Sequence, residues 1–230
     1  MVIFLVMTTK MTLINSSMRI EKKKGNSGNA YVFYVKNKTT IGFEVVRPLR
    51  SDSSIVLCVP GAFTDLADYG IDGVFISNGK PGNTDKINHS LGGAVRIENG
   101  EAVIFPTNKG KLINDALLNY IIKKKGSLFQ QIQMIENGVA ATFKDNKLFQ
   151  RRGIVTFKDG RTAIAESISA ITLKTFADDL AGLEVKDLLY TDMGAWDEGW
   201  YRDPESGKIM MIGYDHSQTE KQSNWVVYRK

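Results

Sequence analysis

Acidic and indole side chains are concentrated in one short segment near the end of the chain, YTDMGAWDEGWY at residues 190–201. Aromatic faces beside acids are typical of sugar sites, because an indole covers the C–H face of a pyranose while carboxylates and amides bind its hydroxyls. Packing of the indoles in the core, with each N–H satisfied, explains the same composition equally well. The candidate sugar-binding residues in this segment are Trp196, Asp197, Glu198 and Trp200.

Three other polar stretches contain candidates for the same site. Arg151 and Arg152 precede an apolar run, where a guanidinium can hold a phosphate or a carboxylate through two parallel hydrogen bonds; a surface ion pair is the alternative. Glu166 leads into a predicted helix, where capping by a neighbouring serine is the alternative. A polar run at residues 217–225 supplies hydrogen-bonding side chains, namely Thr219, Gln222 and Asn224.

Several enzyme classes are not indicated, because their motifs are missing from the sequence. There is no G-x-x-x-x-G-K-S/T or G-x-G-x-x-G loop, no H-E-x-x-H and no G-x-S-x-G. His89 and His216 lack the spacing of metal ligands, and Cys58, the only cysteine, lies in an apolar run and is predicted to be a buried hydrophobe. No cofactor is predicted, although the many acids are compatible with a divalent cation.

Length and composition bound the class of protein. With 230 residues, 43% of them hydrophobic and 24% charged, the chain has the balance of a folded globular protein. The net charge of +5 is a weak signal for nucleic acid, so no nucleic-acid partner is predicted. No apolar run reaches the roughly 18 to 20 residues that span a bilayer, and no intact signal peptide is visible. The oligomeric state has no signature in the sequence.

The elements that position these residues follow from apolar periodicity and turn signals. Strands are predicted at residues 31–35, 39–46, 54–59 and 187–191. Hairpin turns are predicted at residues 78–79, 98–100 and 158–161. Amphipathic helices are predicted at residues 112–122 and 172–183, whereas 128–135 fits either a helix or a strand. The strand at 187–191 places Asp192 at its C-terminal end.

Taken together, these elements predict a single α+β domain. We expect a mixed, mostly antiparallel sheet with several hairpins and two to three packed helices. Residues 1–29 are predicted to form an N-terminal extension or first strand with a polar linker, and residues 30–230 the domain itself.

Four segments, in this order, resemble the phosphodiester glycosidase family, and they span most of the predicted domain. VPGAF at 59–63 stands where the family has an apolar strand ending in N-G-G-F/Y-F. Arg151 followed by GIVTFKDG at 153–160 resembles the family's R-T-A-I-G strand and its turn. The helix with FADDL at 176–180 precedes DLLYTDMG at 187–194, which stands for the family's D-A-L-N-L-D-G-G signature. The Trp-rich extension resembles a largely bacterial branch.

The resemblance implies hydrolysis of a sugar–phosphate diester at the anomeric carbon. In this mapping Arg151, with Arg152, holds the phosphate, Asp192 is the catalytic carboxylate, and Glu166 is a second acid. Gly194 lets the backbone approach the ligand. The remaining implied substrate-binding residues are Gly61, Phe63, Trp196, Asp197, Glu198, Trp200, Thr219, Gln222 and Asn224.

Other expectations accompany that mapping. His89 is an outside candidate for acid–base chemistry, with an exposed loop histidine as the alternative. The family implies a periplasmic or secreted location. A non-catalytic binder of glycans or cell-wall polymers on the same scaffold is the alternative function.

Overall fold

Most of the regular secondary structure of the protein consists of short antiparallel strands. The structure, a computed structural model, describes residues 16–230. The strands are β1 Met18–Lys24, β2 Ala30–Lys36, β3 Thr40–Glu44, β4 Ile55–Pro60, β5 Phe75–Ser77, β6 Lys80–Pro81, β7 Gly93–Glu98, β8 Glu101–Pro106, β9 Ser127–Gln131, β10 Gln133–Glu136, β11 Val139–Ala140, β12 Arg152–Phe157, β13 Thr162–Ser167, β14 Val185–Tyr190, β15 Gly199–Arg202, β16 Ile209–Ile212 and β17 Trp225–Arg229. The helices are α1 Asp115–Lys123, α2 Leu173–Gly182 and a 3-10 turn, Thr219–Lys221.

These strands form three sheets. Sheet I has the order β1-β2-β13-β12-β14-β10-β11, sheet II the order β16-β15-β4-β17-β3, and sheet III the order β6-β5-β9-β7-β8. The strand pairings within all three sheets are antiparallel.

The predicted α+β class is wrong, because the fold is mostly β. Strands account for 41% of the described residues and helix for 10%. The described residues contain two α-helices, of nine and ten residues, so helices cover only a small part of the sheet surface. The ambiguous stretch 128–135 falls in β9 and β10. None of the helices in the described range is long and apolar enough to cross a membrane.

Each predicted helix is present, with its beginning set by a capping side chain. Asn114 accepts a hydrogen bond from the backbone N–H of Leu117, so α1 begins at Asp115 rather than at residue 112. Thr172 accepts from the N–H of Thr175 and caps α2 in the same way. The predicted hairpin at 98–100 is also confirmed: Asn99 and Gly100 adopt the positive φ angles, 50° and 76°, that a tight turn between β7 and β8 requires.

A single apolar core joins the three sheets. Phe43 of sheet II stacks on Phe129 of sheet III, with ring centroids 4.6 Å apart. Ile154 and Leu189 of sheet I belong to the same buried cluster. A second cluster lies between sheet I and α2, where Phe176 is fully buried. Burial of so many large side chains on both faces holds sheet I rigidly in the middle of the fold.

The register of sheet I determines where the candidate residues meet. β12 begins where its two neighbours end, because Arg152 pairs with Glu166 of β13 and Gly153 pairs with Tyr190 of β14. The residues that precede β12 and follow β13 and β14 therefore lie together at one end of these central strands. The proposed division at residue 29 stays a prediction: β1, from the N-terminal segment, pairs along its length with β2, and the start of that segment lies outside the described residues.

Candidate functional site

A cavity of about 370 Å³ lies at this end of sheet I, where β12 begins and β13 and β14 end. Its apolar wall is formed by Phe63, Ile132, Phe149, Leu173, Met193 and Ala195, with the backbone of Gly194. Its polar wall is formed by Gln150, Arg151, Tyr190, Asp197, Tyr214 and Asp215. The volume falls in the range of small-molecule sites, which are usually largely apolar with a few placed polar groups.

Arg151 brings a buried positive charge to the cavity wall. Its side chain is 6% exposed and is held by neutral oxygens: Nε donates to the carbonyl of Ile171 at 3.0 Å, and Nη2 to the carbonyl of Lys147 at 2.8 Å. Its ion-pair partner is Asp145, whose carboxylate lies 3.8 Å from Nη2, at the limit of such a pair. A buried cation with so little compensation favours an anion in the cavity.

Tyr190 extends this cationic group with a hydroxyl. Arg151 Nη1 donates to the Tyr190 hydroxyl oxygen over 3.3 Å. Burial raises the pKa of Tyr190, so the phenol keeps its proton at neutral pH. Among the residues that the structure describes, no acceptor takes that proton. The Arg151 guanidinium and the Tyr190 hydroxyl therefore form a pair of donors suited to one anion.

The beginning of α2 adds to the positive potential on this wall. Leu173, its first residue, lines the cavity, and Thr172 caps the helix. Partial positive charge on the unpaired N–H groups at a helix N-terminus supports a nearby anion. Arg151 remains the main charge, because the helix effect is smaller and falls off within one turn.

Arg152, one residue further along the strand, has a different environment. Its guanidinium is fully buried and binds two acids: Nε donates to Glu166 at 2.5 Å, and Nη1 and Nη2 donate to the two oxygens of Asp197 at 2.8 and 2.9 Å. Burial raises the pKa of Glu166, and its ion pair with Arg152 offsets part of that rise. This triad of Glu166, Arg152 and Asp197 is called the buried ion triad below.

The predicted substrate contact of Arg152 does not fit this geometry, because a guanidinium with no exposed surface cannot reach a ligand. Glu166, predicted as a second catalytic acid, is also buried; Gln150 lies between it and the cavity, donating to its second oxygen at 3.0 Å. Asp197 alone connects the triad to the cavity wall. Arg152 therefore positions Asp197.

Asp192 lies behind the wall rather than on it. Its carboxylate is 2% exposed, and one oxygen accepts hydrogen bonds from the Thr64 backbone N–H at 3.0 Å, the Thr64 hydroxyl at 2.8 Å and the Trp196 indole at 2.7 Å. Burial raises its pKa to about 6, against the effect of these hydrogen bonds. The expected contact of Asp192 with substrate does not fit this burial, whereas its neighbours Met193 and Gly194 do line the cavity.

The two indoles of the opening segment have separate roles. Trp196 is half-buried and orients the Asp192 carboxylate through its N–H. Trp200 is 1% exposed and packs with Cys58 and Trp225 in the apolar cluster of sheet II. Glu198 pairs with Arg47 and Arg50 instead of a ligand. Trp200 thus belongs to the core and Glu198 to an ion-pair cluster, so neither forms the predicted sugar-binding wall.

Three more residues that were predicted to contact the ligand instead hold the loop that follows β4. The Asn224 side chain binds both the N–H and the carbonyl of Ala62, at 2.7 and 3.1 Å. A Cβ on Gly61 would approach the Asn224 amide oxygen to 3.0 Å, so glycine lets this contact form. Gln222 donates to the carbonyl of Asn224 at 2.7 Å. Together they fix the loop that carries Phe63 to the wall.

Two predicted residues lie elsewhere. The backbone carbonyl of Thr219 accepts a hydrogen bond from Arg47, and Thr219 does not line the cavity. His89 is exposed, with its Nδ1 2.8 Å from the carbonyl of Lys109. It lines a second, wider groove of about 700 Å³ together with Asp65, Asp68 and Asp72.

Several cavity residues were not predicted from the sequence as ligand contacts: Phe149, Gln150, Tyr190, Tyr214 and Asp215. The stretch GYDHS at 213–217 carried only a general signal: it is a polar loop after an apolar run, and loops often carry functional residues. Asp215 accepts from the N–H and hydroxyl of Ser217, and the Ser217 hydroxyl holds its pKa below the usual range. This carboxylate therefore stays ionised near neutral pH.

No group of three or more His, Cys, Asp or Glu side chains in residues 16–230 is arranged to hold a metal ion.

Comparison with known proteins places the fold but not the activity. No protein-family model matches the chain, and no curated protein matches it by sequence. The catalytic domain of zebrafish N-acetylglucosamine-1-phosphodiester α-N-acetylglucosaminidase, auto-inhibited by its pro-peptide, matches with a TM-score of 0.63 at 11% identity, over 94% of this chain and 83% of that one. A hypothetical protein from Synechocystis matches with a TM-score of 0.59 at 11% identity, over 93% of this chain and 62% of that one. The chain therefore shares a fold with a glycosidase catalytic domain.

Proposed function

We propose that the cavity binds the phosphate of a sugar-1-phosphodiester and that the protein hydrolyses the bond between that phosphate and the anomeric carbon. The observation that carries this proposal is Arg151, a buried guanidinium on the cavity wall that is held mainly by neutral oxygens. The shared fold with a phosphodiester glycosidase catalytic domain supports it.

The proposed chemistry assigns one task to each wall group. Arg151 and Tyr190 bind the phosphate, which is an acidic leaving group and needs little help from a general acid. Asp215, ionised near neutral pH, is the carboxylate assigned to the anomeric carbon; Asp197 also lines the cavity, but it is 2% exposed and both of its oxygens bind Arg152. Asp215 stabilises the positive charge that develops at the anomeric carbon as water attacks it. Asp192 is a positioning residue that links the loop carrying Thr64 to the loop carrying Trp196.

Release of reducing sugar from N-acetylglucosamine-α-1-phospho-methylmannoside tests this proposal. We expect Arg151→Met and Asp215→Asn each to lower kcat/KM by roughly a hundredfold or more. Arg161→Met and Asp203→Asn are matched controls. Arg161 lies in the turn that follows β12, at the far end of the strand from Arg151. Asp203 binds the N–H and hydroxyl of Ser206, as Asp215 binds those of Ser217, but does not line the cavity. If all four variants turn over like wild type, the assigned site is wrong.

A non-catalytic binder on the same scaffold is the second candidate. It is favoured by the engagement of three acids by protein donors: Glu166, Asp192 and Asp197. This alternative predicts saturable binding of phosphate esters, lost in Arg151→Met, with no sugar released over prolonged incubation.

A further inference from the structure

We infer that the ester group carried by the phosphate is apolar, an alkyl or aryl group rather than a second sugar. This inference deepens the proposed function and rests on it for the identity of the sugar ester. The preference for an anion with an apolar substituent rests on the cavity alone.

The cavity walls support this chemistry. Phe63, Ile132, Leu173 and Met193 line the cavity with apolar surface next to Arg151. A second sugar placed against these side chains would leave hydroxyls without partners, which costs free energy in a buried site, whereas the sugar to be released would meet Gln150 and Asp215 on the polar wall. An alkyl or aryl group gains free energy from the same surface, because it removes apolar area from water.

Exposed apolar side chains continue this surface outward at the mouth of the cavity. Phe149 and Tyr214 line the cavity and are 46% and 71% exposed, and Leu148, next to Phe149, is 63% exposed. The Arg151 guanidinium lies 5.2 Å from the centre of the Phe149 ring, so cation and apolar rim are contiguous. A phosphate on Arg151 would therefore place its substituent against an aromatic surface.

The second groove differs in composition from the Arg151 cavity. Asp65, Asp68, Asp72 and Asn88 line that groove together with Lys86, and its three carboxylates outweigh the one lysine and would repel a phosphate. Side chains of that kind bind hydroxyl groups. An anionic ligand with an apolar substituent thus fits the Arg151 cavity and not the groove.

Calorimetric titration of the protein with four small probes tests the inference without requiring turnover. The probes are octyl phosphate, phenyl phosphate, inorganic phosphate and octyl glucoside, each below its micelle concentration. We expect octyl or phenyl phosphate to bind about tenfold or more tighter than inorganic phosphate, which corresponds to burial of about two methylene groups. Octyl glucoside, which lacks the anion, should bind weakly. Equal affinity for inorganic phosphate and both esters would overturn the inference.

Two exposed aromatic residues give a matched pair of variants. Phe149→Ala is expected to weaken octyl phosphate roughly threefold to tenfold while leaving inorganic phosphate unchanged. Tyr120→Ala is the control, because Tyr120 is 43% exposed and also lies beside an arginine, Arg96, but is outside the cavity. An identical effect of both variants would contradict the assigned rim.

The outcome also separates this inference from the proposed function. Tight binding of octyl phosphate without sugar release from any diester would remove the hydrolase and leave the binding preference. Equal hydrolysis of a methylmannoside diester and an octyl diester would keep the hydrolase and remove the apolar specificity.

Discussion

At the scale of single residues, Arg151 and Arg152 are adjacent in the chain but differ in their partners. Alternate side chains along a strand point to opposite faces, so neighbours enter different surroundings. Arg152 meets two carboxylates and forms the buried ion triad, whereas Arg151 is held by backbone carbonyls and a phenol. The first is neutralised within the protein, and the second still attracts an anion. One arginine therefore supports the site that the other lines.

Removing the central cation of the buried ion triad should cost much of the protein's stability. Arg152→Met leaves Glu166 and Asp197 buried without their partner, and we expect the free energy of unfolding to fall by about 3–5 kcal/mol. Arg161→Met, which removes two partly exposed ion pairs, with Glu21 and Asp159, should cost about 1 kcal/mol or less. Urea-induced unfolding at pH 7 measures both. Equal losses would show that the triad is not a structural unit.

The raised pKa of Asp192 makes stability depend on pH in a defined direction. Because burial raises this pKa from 3.8 to about 6, the folded state binds the proton more tightly than the unfolded state. The stabilisation of the folded state by the proton on Asp192 is therefore fully present below about pH 4 and is lost as the pH rises through about 6. Asp192→Asn should lack this loss, which is on the order of 2–3 kcal/mol at pH 7.

Unfolding of wild type and Asp192→Asn, followed between pH 4 and 7, measures this contribution as their difference. The difference should shift in favour of the variant as the pH rises. A constant difference across the range would mean that Asp192 titrates normally.

At the scale of elements, the chain between β14 and β15 divides into a site half and a core half. Met193 to Ala195 line the cavity, while Trp200 in β15 pairs with Cys58 of β4 and Met211 of β16. β15 lies between β16 and β4, and its Trp200 is 1% exposed. The crowding of acids and indoles thus reflects two adjacent environments: Met193 to Ala195 and Asp197 line the cavity, whereas Trp200 does not.

Trp200→Ala tests this division. The cavity left in the cluster of sheet II should lower the free energy of unfolding by about 3–5 kcal/mol. Affinity of the folded variant for phenyl phosphate, measured at a temperature where it remains native, should equal that of wild type. A large loss of affinity with unchanged stability would restore Trp200 to the ligand site.

The positions of most elements could be predicted from the sequence, but the directions in which their side chains point could not. The strand ending before Asp192 and the helix after Thr172 follow from apolar periodicity. Whether Asp192 reaches a ligand depends on Thr64 and Trp196, which meet it only in three dimensions. The position of Asp215 on the cavity wall could not be predicted for a similar reason, because a loop and not a periodic element brings it there.

At the scale of the whole molecule, the seventeen strands of residues 16–230 form three sheets, and the site lies at one end of sheet I, where β12 begins and β13 and β14 end. The α+β class was predicted because two helical patterns are strong, whereas strands of four residues such as β15 and β16 carry little periodic signal. The chain shares a fold with a phosphodiester α-N-acetylglucosaminidase catalytic domain at 11% identity, and no family model or curated sequence matches the segments that resemble the family. Fold similarity at this level extends to the scaffold, and function depends on the cavity.

A crystal structure of the protein with phenyl phosphate tests the central claim most directly. The account predicts phosphate oxygens within about 3 Å of the Arg151 guanidinium and the Tyr190 hydroxyl, with the phenyl ring against Phe149. Phenyl phosphate bound in the groove of Asp72 and His89, or absent from the Arg151 cavity at saturating concentration, would contradict it.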